Sequence, residues 1–320
     1  MKFKSLVELC ILAVLAALLA DGPEVSRAEP GTPAAVLMTC AGEVSVTRSG
    51  GETVKASFGM QLLQGDKVAT GADGAAEIML QDGTWLQVGA NSGMVIKTRP
   101  GQPAPTAAQE KNFEVVQNFI KLKDAEGTSA LTGLRGGDDD ELVGVSPGRT
   151  RIRSDRPTFT WKIADPSTEL QLTVYNGSGV HWQADVEGTT SFEYPADAPA
   201  LAPGTKYSWT AETTDPLVFP PLRSQAVFFE VISPKEAEML DEALAAIEAE
   251  DKPGKSTYHL MRASLFFDQG LIEEAINETL TALAADPENQ TLHAILAKLY
   301  AESGRNEEAI EAYEKLIDTD

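Results

Sequence analysis

Between residues 36 and 99 the chain alternates apolar and polar positions in short runs that turn residues separate. The runs are EVSVTRS, KVATG, AAEIMLQ, TWLQVG and GMVIKT, and the separators include Gly50-Gly51, Asp73-Gly74 and Asp82-Gly83. A period of two is typical of strands with one buried face, and Asp-Gly pairs favour hairpin turns. The segment therefore predicts a meander of β-hairpins, with Cys40 in its first strand.

The hairpin around Asp82-Gly83 has two possible registers. A two-residue loop would divide its apolar side chains between the two faces of the sheet. A three-residue loop with a left-handed Gly83 instead pairs Ile78 with Leu86 and Ala76 with Val88. We expect the second register, because it gathers the apolar residues on one core face.

Trp85 and Met79 then lie together on the face opposite this core. Residues 105–127 carry apolar residues at helical spacing, and Thr106 stands where it can cap the start of a helix. We expect this helix to cover Trp85 and Met79. The alternative is that both residues contact a partner, so both are candidate partner-binding residues.

Residues 146–233 contain a second series of strand-like runs. They are PTFTWKI, ELQLTVYN, GVHWQADV, SFEYP, KYSWTAET and SQAVFFEV. Their number and spacing predict a β-sandwich. Trp161 and Trp209 fall in these runs, and we expect both to anchor its core because large aromatic rings dominate the burial of apolar area.

From residue 234 the chain is rich in Ala, Glu and Leu and repeats itself at an interval of 34 residues. The matching pairs are His259 and His293, Ala263 and Ala297, Phe266 and Tyr300, Gly270 and Gly304, and Ala275 and Ala309. This interval is typical of helical hairpin repeats that stack on one another. We expect the preceding helix, residues 235–250, to flank the first repeat through Met239, Leu240, Ala243 and Ile247.

Each of these three regions resembles a known protein family. GEVSV at 42–46, G-x-x-L-x-x-GD-x-V-x-TG at 59–71 and G-x-A-x-I-x-L-x-DGT-x-L-x-V-G at 74–89 resemble the FecR domain, although the distal segment at 128–141 departs from its pattern. LAPGTKYSWTAET at 201–213 resembles fibronectin type III, which we favour over an immunoglobulin domain because no cysteine pair is present. The 34-residue interval and ALAADP at 282–287 resemble tetratricopeptide repeats.

These resemblances imply a multidomain β + α protein. Its expected parts are a FecR-like all-β domain with one helix at 36–145, an immunoglobulin/fibronectin-like β-sandwich at 146–233 and α-helical tetratricopeptide hairpins at 234–320. The FecR resemblance also implies periplasmic regulators that pass a signal to a cytoplasmic sigma factor. Only about five residues precede the first apolar run, so we expect no direct control of a sigma factor.

The N-terminus predicts export. Lys2 and Lys4 precede the apolar run LVELCILAVLAALLA, and small residues follow at Ser26 and Ala28. This is the pattern of a cleavable signal peptide, residues 1–28, with a retained anchor as the alternative. We therefore expect a periplasmic or secreted protein that is not an integral membrane protein after cleavage. The net charge of −22 disfavours nucleic acid as a partner.

Candidate chemistry is sparse. The sequence after the signal has no serine elbow, phosphate-binding loop, CxxC pair or HExxH helix, so we predict no catalytic residues, no cofactor and no metal site. His259 and His293 occupy positions where tetratricopeptide repeats usually carry tryptophan, and Arg262 stands at a usual leucine position. We take these three residues and Tyr300 as further candidates for partner binding.

The sequence therefore predicts an exported, non-enzymatic protein-binding or scaffold protein of the bacterial cell envelope. Its partner would bind the tetratricopeptide helices, and the FecR-like domain would dock to an envelope component. One alternative is a FecR-like signalling component that acts indirectly on gene regulation. A second alternative is a protein that binds the cell wall or a polysaccharide.

Overall fold

A computed structural model describes residues 33–97, 105–124, 142–215, 219–249 and 254–317. Within these ranges the N-terminal part forms β-sheets and the C-terminal part is helical, so the predicted β + α multidomain class is confirmed. The predicted signal peptide, the distal FecR-like segment at 128–141 and the end of the helix predicted at 105–127 lie outside the described residues.

The first β region consists of two four-stranded sheets with the strand orders β4-β1-β6-β7 and β3-β2-β5-β8. Their apolar residues meet in one core that includes Leu37, Val46, Val68 and Ile78. Cys40 is half-buried in β1. The strands are β1 Pro33–Ala41, β2 Val44–Thr47, β3 Thr53–Lys55, β4 Gln61–Leu63, β5 Lys67–Thr70, β6 Ala75–Leu80, β7 Trp85–Val88 and β8 Gly93–Val95.

The register predicted for the β6–β7 hairpin is confirmed. Ile78 pairs with Leu86 and Ala76 with Val88. The Leu80 N–H donates to the Thr84 carbonyl oxygen at 2.9 Å, and Gly83 has a φ of +83°. The three-residue loop with a left-handed glycine thus places the apolar side chains on the core face.

Asp66, which follows Gly65 in the FecR-like pattern, carries a buried carboxylate that bonds to other segments of this region. Asp66 is 0% exposed, and its carboxylate accepts hydrogen bonds from the Leu63 N–H at 2.9 Å and the Ser49 N–H at 3.3 Å. Arg48 Nη1 lies 2.6 Å from Oδ2 of the same carboxylate. A buried carboxylate is tolerated only when it is paired and hydrogen-bonded, and these three donors meet that need.

Helix α1, Ala107–Ile120, follows the first β region and continues into a short 3-10 helix, Lys121–Asp124. The predicted cap at Thr106 is confirmed, since its hydroxyl accepts from the Gln109 N–H at 3.3 Å. Gln109 bonds back to the Thr106 N–H at 2.9 Å, which completes a capping box.

Trp85 and Met79 share an apolar cluster with α1, in line with the expected cover. Met79 is buried and Trp85 is half-buried, and both belong to an apolar cluster that includes Val116 and Phe119 of α1. The cover leaves Met79 almost no exposed surface for a partner.

The second β region has a five-stranded sheet, β10-β16-β15-β12-β13, and a three-stranded sheet, β14-β11-β9. Trp161 and Trp209 are buried in the core that both sheets share, as predicted. Trp209 Nε1 donates to the Pro147 carbonyl oxygen at 3.0 Å. The strands are β9 Val143–Ser146, β10 Thr150–Ile152, β11 Thr158–Lys162, β12 Leu170–Asn176, β13 Gly179–Val186, β14 Ser191–Glu193, β15 Lys206–Thr213 and β16 Val227–Val231.

The helical region begins with α2, Pro234–Ala249, and continues as two helical hairpins. They are α3 Lys255–Asp268 with α4 Ile272–Ala285, and α5 Gln290–Ser303 with α6 Asn306–Ile317. One residue predicted to face the first hairpin does not, because Met239 is 59% exposed. Leu240 and Ile247 are buried and Ala243 packs against the same cluster, as predicted, while Leu244 is buried in place of Met239.

Candidate interaction surface

Helix α1 occupies one face of the repeats. It packs against α3, and the 3-10 helix packs against α5. The ring centroids of Phe119 and Phe267 are 5.5 Å apart, and Lys111 Nζ lies 3.5 Å from Asp268 Oδ1. Because α3 and α5 are the first helices of the two hairpins, this covered face of the repeats is already filled by the protein's own helix.

The first β region also caps the first repeat. The residue before α3 is Gly254, which has no side chain to cap the helix. Glu77 of β6 instead holds the helix start from outside, since its Oε1 accepts from the Gly254 N–H at 2.8 Å and its Oε2 from the Thr257 hydroxyl at 2.7 Å. A carboxylate at a helix N-terminus also interacts favourably with the helix dipole. A residue 177 positions earlier in the chain therefore fixes the start of α3.

Glu77→Gln should lower the free energy of unfolding by about 1 kcal/mol, because it removes the charge and one of the two acceptors at the helix start. The measurement is urea denaturation followed by circular dichroism of the helices. Glu52→Gln is the matched control, because Glu52 is exposed on the same β region. Equal midpoints for the two variants would show that the cap contributes nothing.

The second β region contacts the repeats on another side, at the turn between α3 and α4. The Arg151 N–H donates to the Gly270 carbonyl oxygen at 2.8 Å. The Thr150 hydroxyl oxygen accepts from the Ile272 N–H at 2.9 Å and so caps α4. Lys162 Nζ of β11 adds an ion pair to the second hairpin, 2.6 Å from Glu307 Oε2.

Arg151 joins this junction to α2. Its guanidinium lies 3.2 Å from Glu230 and 2.7 Å from Glu236, and it donates to the Gln269 carbonyl oxygen at 3.1 Å. Hydrogen bonds from the Ser233 hydroxyl and N–H, followed by the contact with Arg151, lower the pKa of Glu236 to about 2. Glu236 therefore stays ionised at neutral and mildly acidic pH, and the junction keeps its charge pairing there.

Arg151 of β10 and Arg149, just before this strand, reach the equivalent glycines of the two repeats. A Cβ atom at Gly270 would lie 3.0 Å from Cδ of Arg151, and one at Gly304 would lie 3.4 Å from Nε of Arg149. Both glycines have positive φ, +73° and +82°. The glycine that ends the first helix of each hairpin thus allows both the turn and the close approach of an arginine.

His259 and Arg262 lie together in the first repeat and share one acid that the sequence analysis did not single out. Glu278 of α4 lies 2.6 Å from His259 Nδ1 and 2.7 Å from Arg262 Nε. The Arg262 guanidinium also lies over the Phe266 ring, 5.8 Å from its centroid. We name His259, Arg262, Phe266 and Glu278 the first-repeat cluster, in which arginine replaces leucine because Glu278 faces it.

His293 and Tyr300 lie in the second repeat and line an open cavity of about 340 Å³ between α4, α5 and α6. The apolar lining residues of this second-repeat cavity include Leu280, Leu283, Leu296 and Ala312. His293 Nε2 lies 2.9 Å from the Pro287 carbonyl oxygen. The six candidate residues therefore lie as pairs in three separate places. The pairs are His259 with Arg262, His293 with Tyr300, and Trp85 with Met79.

Charged residues complete the lining of the second-repeat cavity. They are Glu308, Glu311 and Lys315. Burial raises the pKa of the Tyr300 hydroxyl; Arg305 acts against this shift, while Glu308, Glu273 and Glu311 add to it. The helical region from residue 234 carries twenty acidic and seven basic residues. An aromatic and aliphatic cavity therefore opens in a strongly acidic surface.

Two kinds of feature are absent from the described ranges. Across these residues, no three His, Cys, Asp or Glu side chains are grouped so that they could hold a metal ion. No helix within the same ranges is long and apolar enough to cross a membrane.

Comparison with known proteins gave one family match. Two similar solved structures are a "Cell surface anchoring domain" (25% identity, 21% of this chain and 88% of that chain, TM-score 0.20) and Astrotactin-2, a vertebrate perforin-like membrane protein (11% identity, 56% and 36%, TM-score 0.18). The curated proteins gave no match, and no FecR or fibronectin model matched. The tetratricopeptide repeat model matches residues 260–320, which confirms the repeats and suggests a role in protein–protein interaction or as a scaffold.

Proposed function

We propose that this protein is an exported, non-enzymatic scaffold of the bacterial cell envelope that binds a protein partner through its tetratricopeptide helices. The observation that carries the proposal is the second-repeat cavity, an open apolar surface on repeats whose other face is filled by α1. The repeats are of a type suited to holding protein partners on extended surfaces.

The contacts on two sides of the repeats support a scaffold role. Glu77 and α1 hold the first hairpin from one side, and Arg151 and Lys162 hold the two hairpins from another. A surface that is held in place before binding loses less conformational freedom when the partner arrives. The two β regions thus act on binding by fixing the helices that carry the cavity.

The two β regions have separate roles in this proposal, one as a sandwich and one as a docking domain. The second region is fibronectin type III-like in this reading, and the Tyr207 hydroxyl supports it by accepting a hydrogen bond from the Ala202 N–H at 2.8 Å. A tyrosine that bonds back to the backbone a few residues upstream, before a late strand, is a hallmark of such sandwiches. The first region, FecR-like, docks to another envelope component, and the N-terminal signal directs the protein to the periplasm or beyond.

Deleting the repeats is a poor test of this proposal, because the apolar cluster under α1 continues into them. Phe113 and Phe119 of α1 and Leu260 and Leu299 of the repeats belong to the same cluster. A truncated protein would expose these residues and lose stability for reasons unrelated to a partner. Single positions on the surface separate the two effects.

Site-specific photo-crosslinking in intact cells tests the proposal. A photoreactive amino acid at Leu280, which is 41% exposed at the cavity, should yield a discrete crosslinked protein. The same amino acid at Met239, an exposed apolar residue of α2, is the matched control and should not yield that product. Identical products at both positions, or no product at Leu280, would overturn the proposal.

A further inference from the structure

The two repeats carry different side chains at several matching positions. At an interval of 34 residues, Arg262 of the first repeat corresponds to Leu296 of the second, and Glu278 corresponds to Ala312. His259 and Phe266 correspond to His293 and Tyr300. The second repeat therefore keeps the imidazole and the aromatic ring but has lost both the arginine and the carboxylate that pairs with it.

In the first-repeat cluster, Arg262 and Glu278 fill the positions that Leu296 and Ala312 occupy in the second repeat. The guanidinium of Arg262 pairs with Glu278 at 2.7 Å and lies 5.6 Å and 5.8 Å from the ring centroids of Tyr258 and Phe266. The Arg262 side chain is only 20% exposed. A half-buried arginine with an acid and aromatic rings around it is a stable arrangement, because the planar guanidinium is weakly hydrated and stacks well.

In the second repeat the smaller side chains leave the second-repeat cavity open. Its volume of about 340 Å³ lies within the usual range of ligand pockets, roughly 300–1,000 Å³. Leu283 and Leu296 offer apolar surface to the methylene stem of a guest side chain. The cavity thus has the size and the lining for one long side chain from outside.

The charges of the cavity favour a cationic guest. Glu311 lines it at a position where the first repeat has the neutral Asn277. Glu308 already meets Arg305 at 3.3 Å and Lys162 at 3.5 Å, so Glu311 is the carboxylate assigned to the guest. Arg305 also lies over the Tyr300 ring, 4.8 Å from its centroid, and so supplies the cation–π contact internally. Lys315 is the one lysine or arginine among the lining residues.

We propose that the second-repeat cavity binds an arginine side chain of the partner protein, with its stem between Leu283 and Leu296 and its guanidinium on Glu311. This inference rests on the proposed function and adds the chemistry of the partner. Arginine fits better than lysine because its planar guanidinium can form two parallel hydrogen bonds with one carboxylate. The acidic surface of the helical region favours the approach of such a basic segment.

Titration of the full mature protein with defined peptides tests the inference. The probe is a seven-residue peptide with one central arginine among Ala, Leu and Gly, and its control carries citrulline, which has nearly the same shape without the charge. Binding is followed by the NMR signals of the methyl groups of Leu283 and Leu296. We expect the arginine peptide to shift these signals and the citrulline peptide to bind about tenfold more weakly or less. Equal binding of both peptides, or no shift with either, would overturn the inference.

Two variants complete the test. Leu296→Arg together with Ala312→Glu rebuilds the Arg262–Glu278 pair in the second repeat, so the cavity is filled from within and the arginine peptide should no longer bind. Glu311→Gln leaves the core unchanged and should weaken binding about tenfold, which keeps the test valid should the double variant fold poorly. Wild-type binding by either well-folded variant would contradict the inference. A crosslinked partner at position 280 without any binding of the arginine peptide would refute this inference and leave the proposed function standing.

Discussion

Replacing Phe119 with alanine should lower the free energy of unfolding by about 3–5 kcal/mol, the usual cost of removing a fully buried phenylalanine side chain. Phe119 is 0% exposed and lies in the cluster that joins β1, α1 and the repeats. Its ring centroid is 5.5 Å from that of Phe267 in α3. The measurement is guanidinium denaturation, followed by tryptophan fluorescence and by circular dichroism of the helices.

Both signals should shift together, because the alanine variant weakens a contact that the first β region and the repeats share. Asn118→Ala is the control, since Asn118 is the exposed neighbour on the same helix. We expect its midpoint to stay within about 0.5 kcal/mol of the wild type. If Phe119→Ala left the helical transition at its wild-type midpoint, the repeats would be stable without α1.

Replacing Asp66 with alanine should lower the free energy of unfolding by about 3 kcal/mol or more. The change leaves the N–H groups of Leu63 and Ser49 and the guanidinium of Arg48 without their shared acceptor. Buried donors that lose an acceptor, and a buried ion pair that loses one partner, are among the most costly single changes. The same denaturation measurement applies, read from the fluorescence signal.

A graded pair of controls tests the reason for this loss. Asp66→Asn keeps one acceptor oxygen and the side-chain volume, so its loss should be smaller than that of the alanine variant. Asp73→Ala removes an exposed carboxylate that accepts one long bond, 3.3 Å from the Glu43 N–H, and should cost about 1 kcal/mol or less. A loss for Asp66→Ala no greater than that for Asp73→Ala would show that the buried carboxylate does not anchor the region.

Local patterns were enough to predict much of this structure. The register of the β6–β7 hairpin followed from side-chain parity and one Asp-Gly turn, because a slip by one residue would have moved its apolar residues to the wrong face. The repeats followed from one interval of 34 residues. Both features depend on residues that are close in sequence or that recur at a fixed spacing.

The parts that were missed are short strands and contacts between residues that are distant in sequence. The predicted runs did not include β3, β4, β9 and β10, which are only three or four residues long and hold little alternation to detect. Glu278 was not among the predicted residues, although its ion pair with Arg262 explains why arginine can stand in place of leucine. Its sequence context is an ordinary helix surface, and only the packing of α3 on α4 brings the two side chains together.

The cavity was missed for a related reason. Leu296 and Ala312 look like ordinary apolar residues of a helical repeat, and each occurs at a position where such residues are expected. Their significance appears only beside Arg262 and Glu278, when the same place is compared in both repeats. The cavity is indicated only when residues that face each other across two helices, such as Arg262 and Glu278, are compared as a pair with Leu296 and Ala312.

The two arginines beside Gly270 and Gly304 tie the spacing of the two hairpins to the second β region. Arg149 directly precedes β10 and Arg151 lies in it, and each meets the turn of one repeat. A hairpin inserted between the existing pair would move Gly304 away from Arg149. The second β region therefore fixes the distance between the two turns, and a change in the spacing of the hairpins would require a matching change in the sandwich.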